Sequence, residues 1–270
     1  MLFFILNNIN YFETNPQFFF LIDKIIYLYK NDVSYQNKGN DNNITETIYF
    51  FLTSFFDKRI SFLINLDKSF SYIIMKLVIK LGYPQNNFIY LEIEKNFNLY
   101  AYKKNECLLI QYLFPLGNEF QQQKLFNIIL DQCKQLIVDK YGHYLLKYLL
   151  YQIENGEKYY DKIFNKIITD VKGYINNKYS SVVIERLLDS SNLYIKSTII
   201  EKLCGNEDDI MQLINHSYGN YVLQKIISVT KDNRILDIIY KTIKNNKSII
   251  YKLSYGKKLI REISKAYTPK

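Results

Sequence analysis

Three short segments of the chain place two polar side chains four residues apart. The pairs are Asn220 with Gln224, Ser181 with Glu185, and Cys107 with Gln111. On an α-helix, positions i and i+4 lie only about 40° apart around the axis, so both side chains point the same way. Together they can hold one flat hydrogen-bonding partner, while the residue at i+1 points about 100° aside. The pattern therefore favours a binding face built on helices.

The histidines and cysteines do not form a pattern that suits catalysis or metal binding. His143 and His216 are far from any cluster of Asp, Glu and Cys, and we interpret both as surface or turn residues. Cys107, Cys133 and Cys204 are widely spaced without a CxxC pair, which favours a reducing compartment over disulfides or a zinc site. GxxxxGK, HExxH and GxSxG are absent. We expect no enzyme activity, no cofactor and no metal, and we place the protein in the cytoplasm.

The composition favours a folded protein with an anionic partner. Hydrophobic residues make up 48% of the chain and charged residues 23%, and 35 Lys and Arg against 26 Asp and Glu give a net charge of +9. Such an excess suits nucleic acid or an acidic membrane surface. The apolar runs at 1–6 and 18–22 are far shorter than the ~18–20 residues of a membrane span. We therefore interpret them as core helices and expect no membrane partner.

The candidate pairs belong to an internal repeat. The residue after Tyr-Gly or Tyr-Ser falls at positions 143, 181, 220 and 257, and similar segments occur at 107 and 71, so the spacing is 36–39 residues. Apolar residues at helical spacing follow each turn, such as Val222, Leu223 and Ile226. Units of this length bury their apolar faces only by stacking on one another. We predict an all-α solenoid of about six recognisable repeats, with a degenerate seventh around Gln17–Leu21.

The residues after the turn favour one class of helical repeat over the TPR, ankyrin and HEAT classes of similar period. Asn220–Lys225 resembles the RNA-facing helix of a Pumilio (PUF) repeat, and 181–186 and 107–112 occupy the same register. The resemblance covers about residues 60–265. It implies a curved α-solenoid of three-helix repeats that binds single-stranded RNA, one base per repeat. We interpret 51–270 as the RNA-binding domain and 1–50 as a helical flank or degenerate repeat with a polar loop near 37–43.

The resemblance also implies a role for individual residues. The pairs expected at base edges are Asn220 with Gln224, Ser181 with Glu185, His143 with Lys147, Cys107 with Gln111, and Ser71 with Met75. Asn220 with Gln224 matches the family's uracil pair, Ser181 with Glu185 its guanine pair, and Cys107 with Gln111 its adenine pair. The pairs that begin at His143 and Ser71 match no standard pair. The residues expected to stack on bases are Tyr221, Val182, Tyr144, Leu108 and Tyr72. Lys257, Lys258 and Arg261 form a terminal unit that we expect to hold phosphate.

The order of these pairs implies a target. RNA runs antiparallel to the protein in this family, so the series from 220 back to 107 is U, G, undetermined, A, which agrees with the family's 5′-UGUA core at three of four positions. We expect a monomeric post-transcriptional regulator that binds UGUA-like elements in mRNA untranslated regions, with protein effectors on its convex face. Leu108 and Val182 replace flat or cationic stackers, so we expect weakened affinity.

Two alternatives remain open. The first is a ribosome-assembly or structural PUF-like protein, nucleolar in location, that holds RNA mainly through its backbone. The degenerate units and the net charge favour it. The second is a HEAT-like scaffold that binds only proteins.

Overall fold

The computed structural model describes residues 16–28, 41–57, 60–61, 64, 68–152 and 157–267, and these ranges contain helices and no strand. The chain divides into two compact units, Met1–Ile128 and Ile129–Lys270. Among the described residues, no helix combines the length and the hydrophobicity needed to cross a bilayer. The all-α prediction is confirmed.

The first unit is a row of packed helices. They are α1 (Pro16–Leu28), α2 (Asp41–Asp57), α3 (Lys68–Leu81), α4 (Asn87–Lys95), α5 (Phe97–Tyr100), α6 (Lys104–Leu116) and α7 (Glu119–Asp131), whose last turn passes the unit boundary. Helix α1 packs against α3, and α3 packs against α6. Ile74 and Leu77 of α3 and Ile110 of α6 are fully buried.

The second unit contains the same succession of helices. Its helices are α8 (Cys133–Leu136), α9 (Gly142–Gln152), α10 (Glu157–Ile168), α11 (Val171–Tyr174), α12 (Lys178–Leu188), α13 (Leu193–Cys204), α14 (Glu207–Asn215), α15 (Gly219–Val229), α16 (Asn233–Asn245), α17 (Lys247–Ile250) and α18 (Gly256–Ala266). Helices α9, α12, α15 and α18 pack consecutively. The predicted core residues Val222, Leu223 and Ile226 are fully buried.

Each complete repeat contains three helices: a first helix, often of one turn, a middle helix, and an outer helix. In the repeat of residues 207–245 these are α14, α15 and α16. The six predicted recognition segments lie on middle helices, which we call the face helices: α3, α6, α9, α12, α15 and α18. The predicted three-helix repeat is therefore confirmed.

In the second unit the Tyr-Gly turn recurs because the start of the face helix lies against the end of the first helix of its repeat. A Cβ on Gly219 would lie 2.9 Å from the carbonyl oxygen of Leu213, six residues earlier. In the repeat that has serine instead, the Ser180 hydroxyl donates a hydrogen bond to the carbonyl of Tyr174, also six residues earlier. Glycine has no Cβ that would collide with this carbonyl, and serine forms a hydrogen bond to it. Both residue types therefore allow the face helix to start close to the end of the first helix.

A Lys–Asp salt bridge joins two successive face helices in the second unit and joins α1 to α3 in the first. In the second unit, Lys225 of α15 pairs with Asp189, which ends α12. In the first unit, Lys76 Nζ of α3 lies 2.6 Å from Asp23 Oδ1 of α1. Helix α1 thus packs on α3 and pairs with it in the manner of a further face helix. The predicted seventh unit at 17–21 falls on this helix.

The N-terminal part differs from the sequence prediction in two respects. Residues 41–43, predicted as part of a polar loop, form the first turn of α2, and 37–40 lie outside the described residues. Helix α2 also runs through the predicted boundary at 50/51. It does so because Ile48, Phe51, Leu52 and Phe55 have helical spacing and share one buried face.

Candidate nucleic-acid interface

The recognition positions of the second unit follow one pattern of exposure. The residues at i are buried: Asn220, Ser181 and His143. At i+1, Tyr221 and Tyr144 are about half exposed and Val182 is partly exposed. At i+4, Gln224 and Glu185 are half-buried and Lys147 is exposed. The residues at i+1 and i+4 therefore form the accessible surface, and the residue at i lies beneath them.

On α15 the buried amide orients the accessible one. Asn220 is 1% exposed, and its Nδ2 donates to the carbonyl of Ser217 at 2.6 Å. Its Oδ1 accepts a hydrogen bond from Gln224 Nε2 at 2.9 Å. Gln224 is thereby held beside Tyr221, whose ring is 53% exposed. This arrangement offers one amide and one aromatic face to a flat ligand, as the residue spacing predicts.

On α12 a carboxylate replaces the amide. Ser181 Oγ donates to the carbonyl of Lys178 at 3.1 Å, so it is bound within its own helix. Burial is the largest influence on Glu185 and raises the pKa of its carboxyl, whereas the nearby Lys225 and Lys147 lower it and Asp189 raises it. In its ionised form Glu185 can accept two hydrogen bonds from one partner.

On α9 the structure corrects the interpretation of His143 as a surface or turn residue, since it lies buried in the first turn of the helix. His143 is buried, with Nδ1 2.9 Å from the carbonyl oxygen of Asp139 and its ring centroid 5.1 Å from that of Tyr179. Burial is the main reason why the pKa of His143 is lowered. The covering ring of Tyr179 comes from the next repeat, which explains the burial. His216 is exposed, as predicted.

Helix α18 carries cations at the equivalent positions. Lys257, Lys258 and Arg261 are all exposed. Arg261 Nε lies 3.7 Å from Glu262 Oε1, a loose contact that leaves the guanidinium at the surface. Such a group of exposed cations suits phosphate better than a base edge.

In the first unit, the predicted adenine pair is directed inward. Cys107 and Gln111 are both buried, and Gln111 Nε2 donates to Cys107 Sγ at 3.4 Å. The accessible residues of α6 are Leu108 and Tyr112, 41% and 49% exposed. A base that approaches α6 meets these two side chains first. The predicted edge contact by Gln111 requires that its amide turn away from Cys107.

The remaining predicted positions lie on α3. Ser71 and Met75 are half-buried, and Tyr72 is about half exposed. Lys76 Nζ stands 4.5 Å from the centre of the Tyr72 ring. This ammonium group already occupies one face of the tyrosine, so a base would stack on the other face.

Sequence reasoning missed a stripe of tyrosines on α9. Tyr148 and Tyr151 follow Tyr144 at i+5 and i+8 of the repeat, and Tyr151 is well exposed. Arg186 of α12 places its guanidinium carbon 5.2 Å from the Tyr151 ring centre. Tyr112 occupies the i+5 position of α6. The spacing i+1, i+5, i+8 is visible in the sequence and could have identified these residues.

The described residues contain no group of three His, Cys, Asp or Glu side chains that could hold a metal ion. All three cysteines are buried thiols. For Cys133, burial raises the pKa to about 12.

Comparison with known proteins agrees with the repeat architecture. A model of the Pumilio-family RNA binding repeat matches residues 104–130, 132–168, 176–204 and 209–240. These segments coincide with the helix groups α6–α7, α8–α10, α12–α13 and α14–α16. The chain is a divergent member of the Pumilio family.

Curated Pumilio proteins and solved PUF domains show the same relationship. "Putative pumilio homolog 13" of Arabidopsis thaliana is 24% identical over 61% of this chain and 30% of its own length. "Pumilio homology domain family member 4" of Saccharomyces cerevisiae is 27% identical over 65% of this chain and 20% of its own length. The chain thus spans less than a third of each relative.

Two solved structures share the fold. The Puf4 RNA binding domain bound to the HO endonuclease RNA 3′ UTR recognition sequence has a TM-score of 0.78 and 21% identity, covering 92% of this chain and 74% of Puf4's. PUF-8 in complex with PBE-RNA has a TM-score of 0.69 and 17% identity, covering 92% of this chain and 73% of PUF-8's.

Proposed function

We propose that this Pumilio-family chain binds single-stranded RNA sequence-specifically, with its face helices as the reading surface. The observation that carries the proposal is on α15. The Asn220–Gln224 amide pair, joined at 2.9 Å, stands beside the exposed Tyr221 ring. An amide that reads an edge and an aromatic ring that stacks are the two contacts by which proteins select unpaired bases.

The proposed target is a UGUA-like element in mRNA untranslated regions. The pairs on α15, α12 and α6 follow the family's order for U, G and A, with α9 undetermined, and Glu185 can accept from two guanine donors. Two of the similar solved domains carry 3′ UTR recognition sequences, which supports this target class. The proposed role is repression or decay in the cytoplasm through protein effectors that bind away from the face helices.

Titration of a labelled UGUA oligonucleotide against its UCUA variant tests the proposal. If Glu185 reads the second base, the change from G to C weakens binding by at least ~1 kcal/mol, the lower end for a good paired contact. Because cytosine has the acceptors N3 and O2 where guanine has its N1–H and N2 amino donors, the carboxylate loses both hydrogen-bond partners. Equal affinity for the two oligonucleotides at every salt concentration contradicts base reading.

A backbone binder, such as a ribosome-assembly or structural PUF-like protein, is the second candidate. The exposed cations at 257, 258 and 261 and the burial of Gln111 favour it. It predicts equal affinity for UGUA and UCUA together with a steep loss of affinity as salt rises. If neither oligonucleotide binds at low salt, the remaining hypothesis is a scaffold that binds only proteins.

A further inference from the structure

Lys147 and Lys225 stand on either side of the predicted guanine reader. Glu185 lies on α12, and α9 and α15 pack against that helix from its two sides. Asp189 lies one helical turn after Glu185 on α12 and pairs with Lys225 of α15, so this ammonium group lies on the side of α12 that carries Glu185. Lys147 holds the same i+4 position on α9 that Glu185 holds on α12. The charges of Lys225 and Lys147 lower the pKa of Glu185, and that of Asp189 raises it. Two neighbouring repeats thus each supply one cation to the carboxyl group of the repeat between them.

We infer that Lys147 and Lys225 are positioning residues that keep Glu185 ionised, so that the guanine preference of one repeat depends on its neighbours. The inference rests on the proposed function, because it concerns the same RNA-reading surface. It also gives a role to Lys147, which together with His143 matches none of the family's pairs of base-reading residues.

The charge of Glu185 decides which base it suits. A carboxylate offers acceptors only, which fits the adjacent N1–H and N2 amino donors of guanine. A protonated carboxyl offers one donor and one acceptor, which fits the N6 amino group and N1 acceptor of adenine. Loss of the charge therefore converts a guanine reader into one that accepts adenine.

The surroundings of Glu185 oppose ionisation unless cations are present. The side chain is half-buried, and burial raises the pKa of its carboxyl. Bound RNA would bury it further and bring phosphate charges nearby, and both effects favour protonation. Lys225 shares its charge with Asp189 in an ion pair. Within the described residues Lys147 forms no ion pair, and its charge also lowers the pKa of His143 on its own helix.

The experiment compares the affinities for UGUA and UAUA oligonucleotides between pH 5 and pH 8. For the unmodified protein, the UGUA preference falls as the pH falls through the raised pKa of Glu185, because the protonated fraction grows. Lys147→Gln and Lys225→Gln should each move this fall to higher pH. At a pH within that fall, each should reduce the preference about two- to fivefold, the range that an exposed ion pair supplies.

Two controls isolate the effect. Lys162→Gln removes the same charge from an exposed position on α10, outside the face helices, and should leave the pH profile unchanged. In a Glu185→Gln background, Lys147→Gln should no longer alter the ratio of the two affinities. Circular dichroism melts confirm that each variant is folded.

The outcomes separate the inference from the proposed function. If the unmodified protein prefers UGUA but Lys147→Gln weakens both oligonucleotides equally, Lys147 contacts phosphate and the inference is wrong while RNA reading stands. If the unmodified protein does not distinguish UGUA from UAUA at any pH, guanine reading and the inference are both wrong. A shifted pH profile that persists in the Glu185→Gln background also overturns the inference.

Discussion

The two amides of α15 have different tasks although they form one pair. Asn220 is buried and bonds both to the carbonyl of Ser217 and to Gln224. Gln224 is half-buried and its amide is held at the surface. Removal of Asn220 breaks the hydrogen bonds to Ser217 and Gln224 and empties a buried position, whereas removal of Gln224 breaks one hydrogen bond next to solvent. Substitution of Asn220 should therefore affect mainly the stability of the protein, and substitution of Gln224 mainly its binding of RNA.

Asn220→Ala should lower the free energy of unfolding by about 1–3 kcal/mol, because it removes two hydrogen bonds of about 0.5–1.5 kcal/mol each. Gln224→Ala removes one of these bonds, so it should lower the free energy of unfolding by no more than about 0.5–1.5 kcal/mol and should mainly weaken binding of a UGUA oligonucleotide. Urea denaturation and RNA titration of both variants give the two quantities. A large loss of stability in Gln224→Ala would show that this amide is structural.

The residue types of the site could be predicted from the sequence, but their burial could not. Spacing at i and i+4 identified the pair on α15 because helix geometry alone brings Asn220 and Gln224 together. His143 was misassigned because its cover, Tyr179, lies 36 residues further along the chain. Gln111 was predicted to face a base, yet it bonds inward to Cys107. Helical periodicity predicts the direction in which a side chain points around the helix axis. Whether that side chain is buried depends on residues of the neighbouring repeats.

At the scale of the element, the turn before each face helix controls how closely two helices meet. A Cβ at Gly256 would lie 1.8 Å from the carbonyl oxygen of Ile250, so the backbone would have to move. At Gly173, in α11, an added Cβ would meet only the carboxylate of Asp170, 2.8 Å away, and a side chain can turn aside. The two glycines therefore differ in what an alanine would displace.

Gly256→Ala should destabilise the protein by about 1–3 kcal/mol, the usual cost of overpacking. Gly173→Ala should be neutral or stabilising, because alanine in a helix reduces the freedom of the unfolded chain. Thermal or urea unfolding of the two variants under the same conditions measures the difference. If the two variants are equally stable, the turn before α18 accommodates a Cβ at position 256 without a loss of stability.

The same contact explains how far the elements could be predicted. Tyr-Gly and Tyr-Ser recur because each face helix must approach the preceding helix, so the repeats were visible in the sequence. The start of α2 was not, since Asp41, Asn42 and Asn43 suit both a loop and the beginning of a helix. The buried face from Ile48 to Phe55 decides in favour of the helix.

At the scale of the whole molecule, the net charge of +9 acts together with the individual reading positions. Charge attracts any RNA backbone regardless of sequence, whereas the pairs on the face helices distinguish one base from another. We expect the exposed cations of α18 to attract the RNA backbone, because they occupy recognition positions without a hydrogen-bond acceptor to offer a base. Affinity and specificity should thus respond to different substitutions.

Replacing Lys257, Lys258 and Arg261 together with glutamine should weaken UGUA and UCUA equally. If all three neutralise phosphates, the slope of log affinity against log salt should fall in magnitude by about 2, since each contact on a single strand contributes ~0.7. A matched triple variant removes the exposed lysines at 134, 162 and 166, which lie outside the face helices. It should leave the slope unchanged if RNA binds only along the face helices. A changed ratio of UGUA to UCUA in the α18 variant would show that these cations read bases, and an unchanged slope would show that they do not meet the RNA.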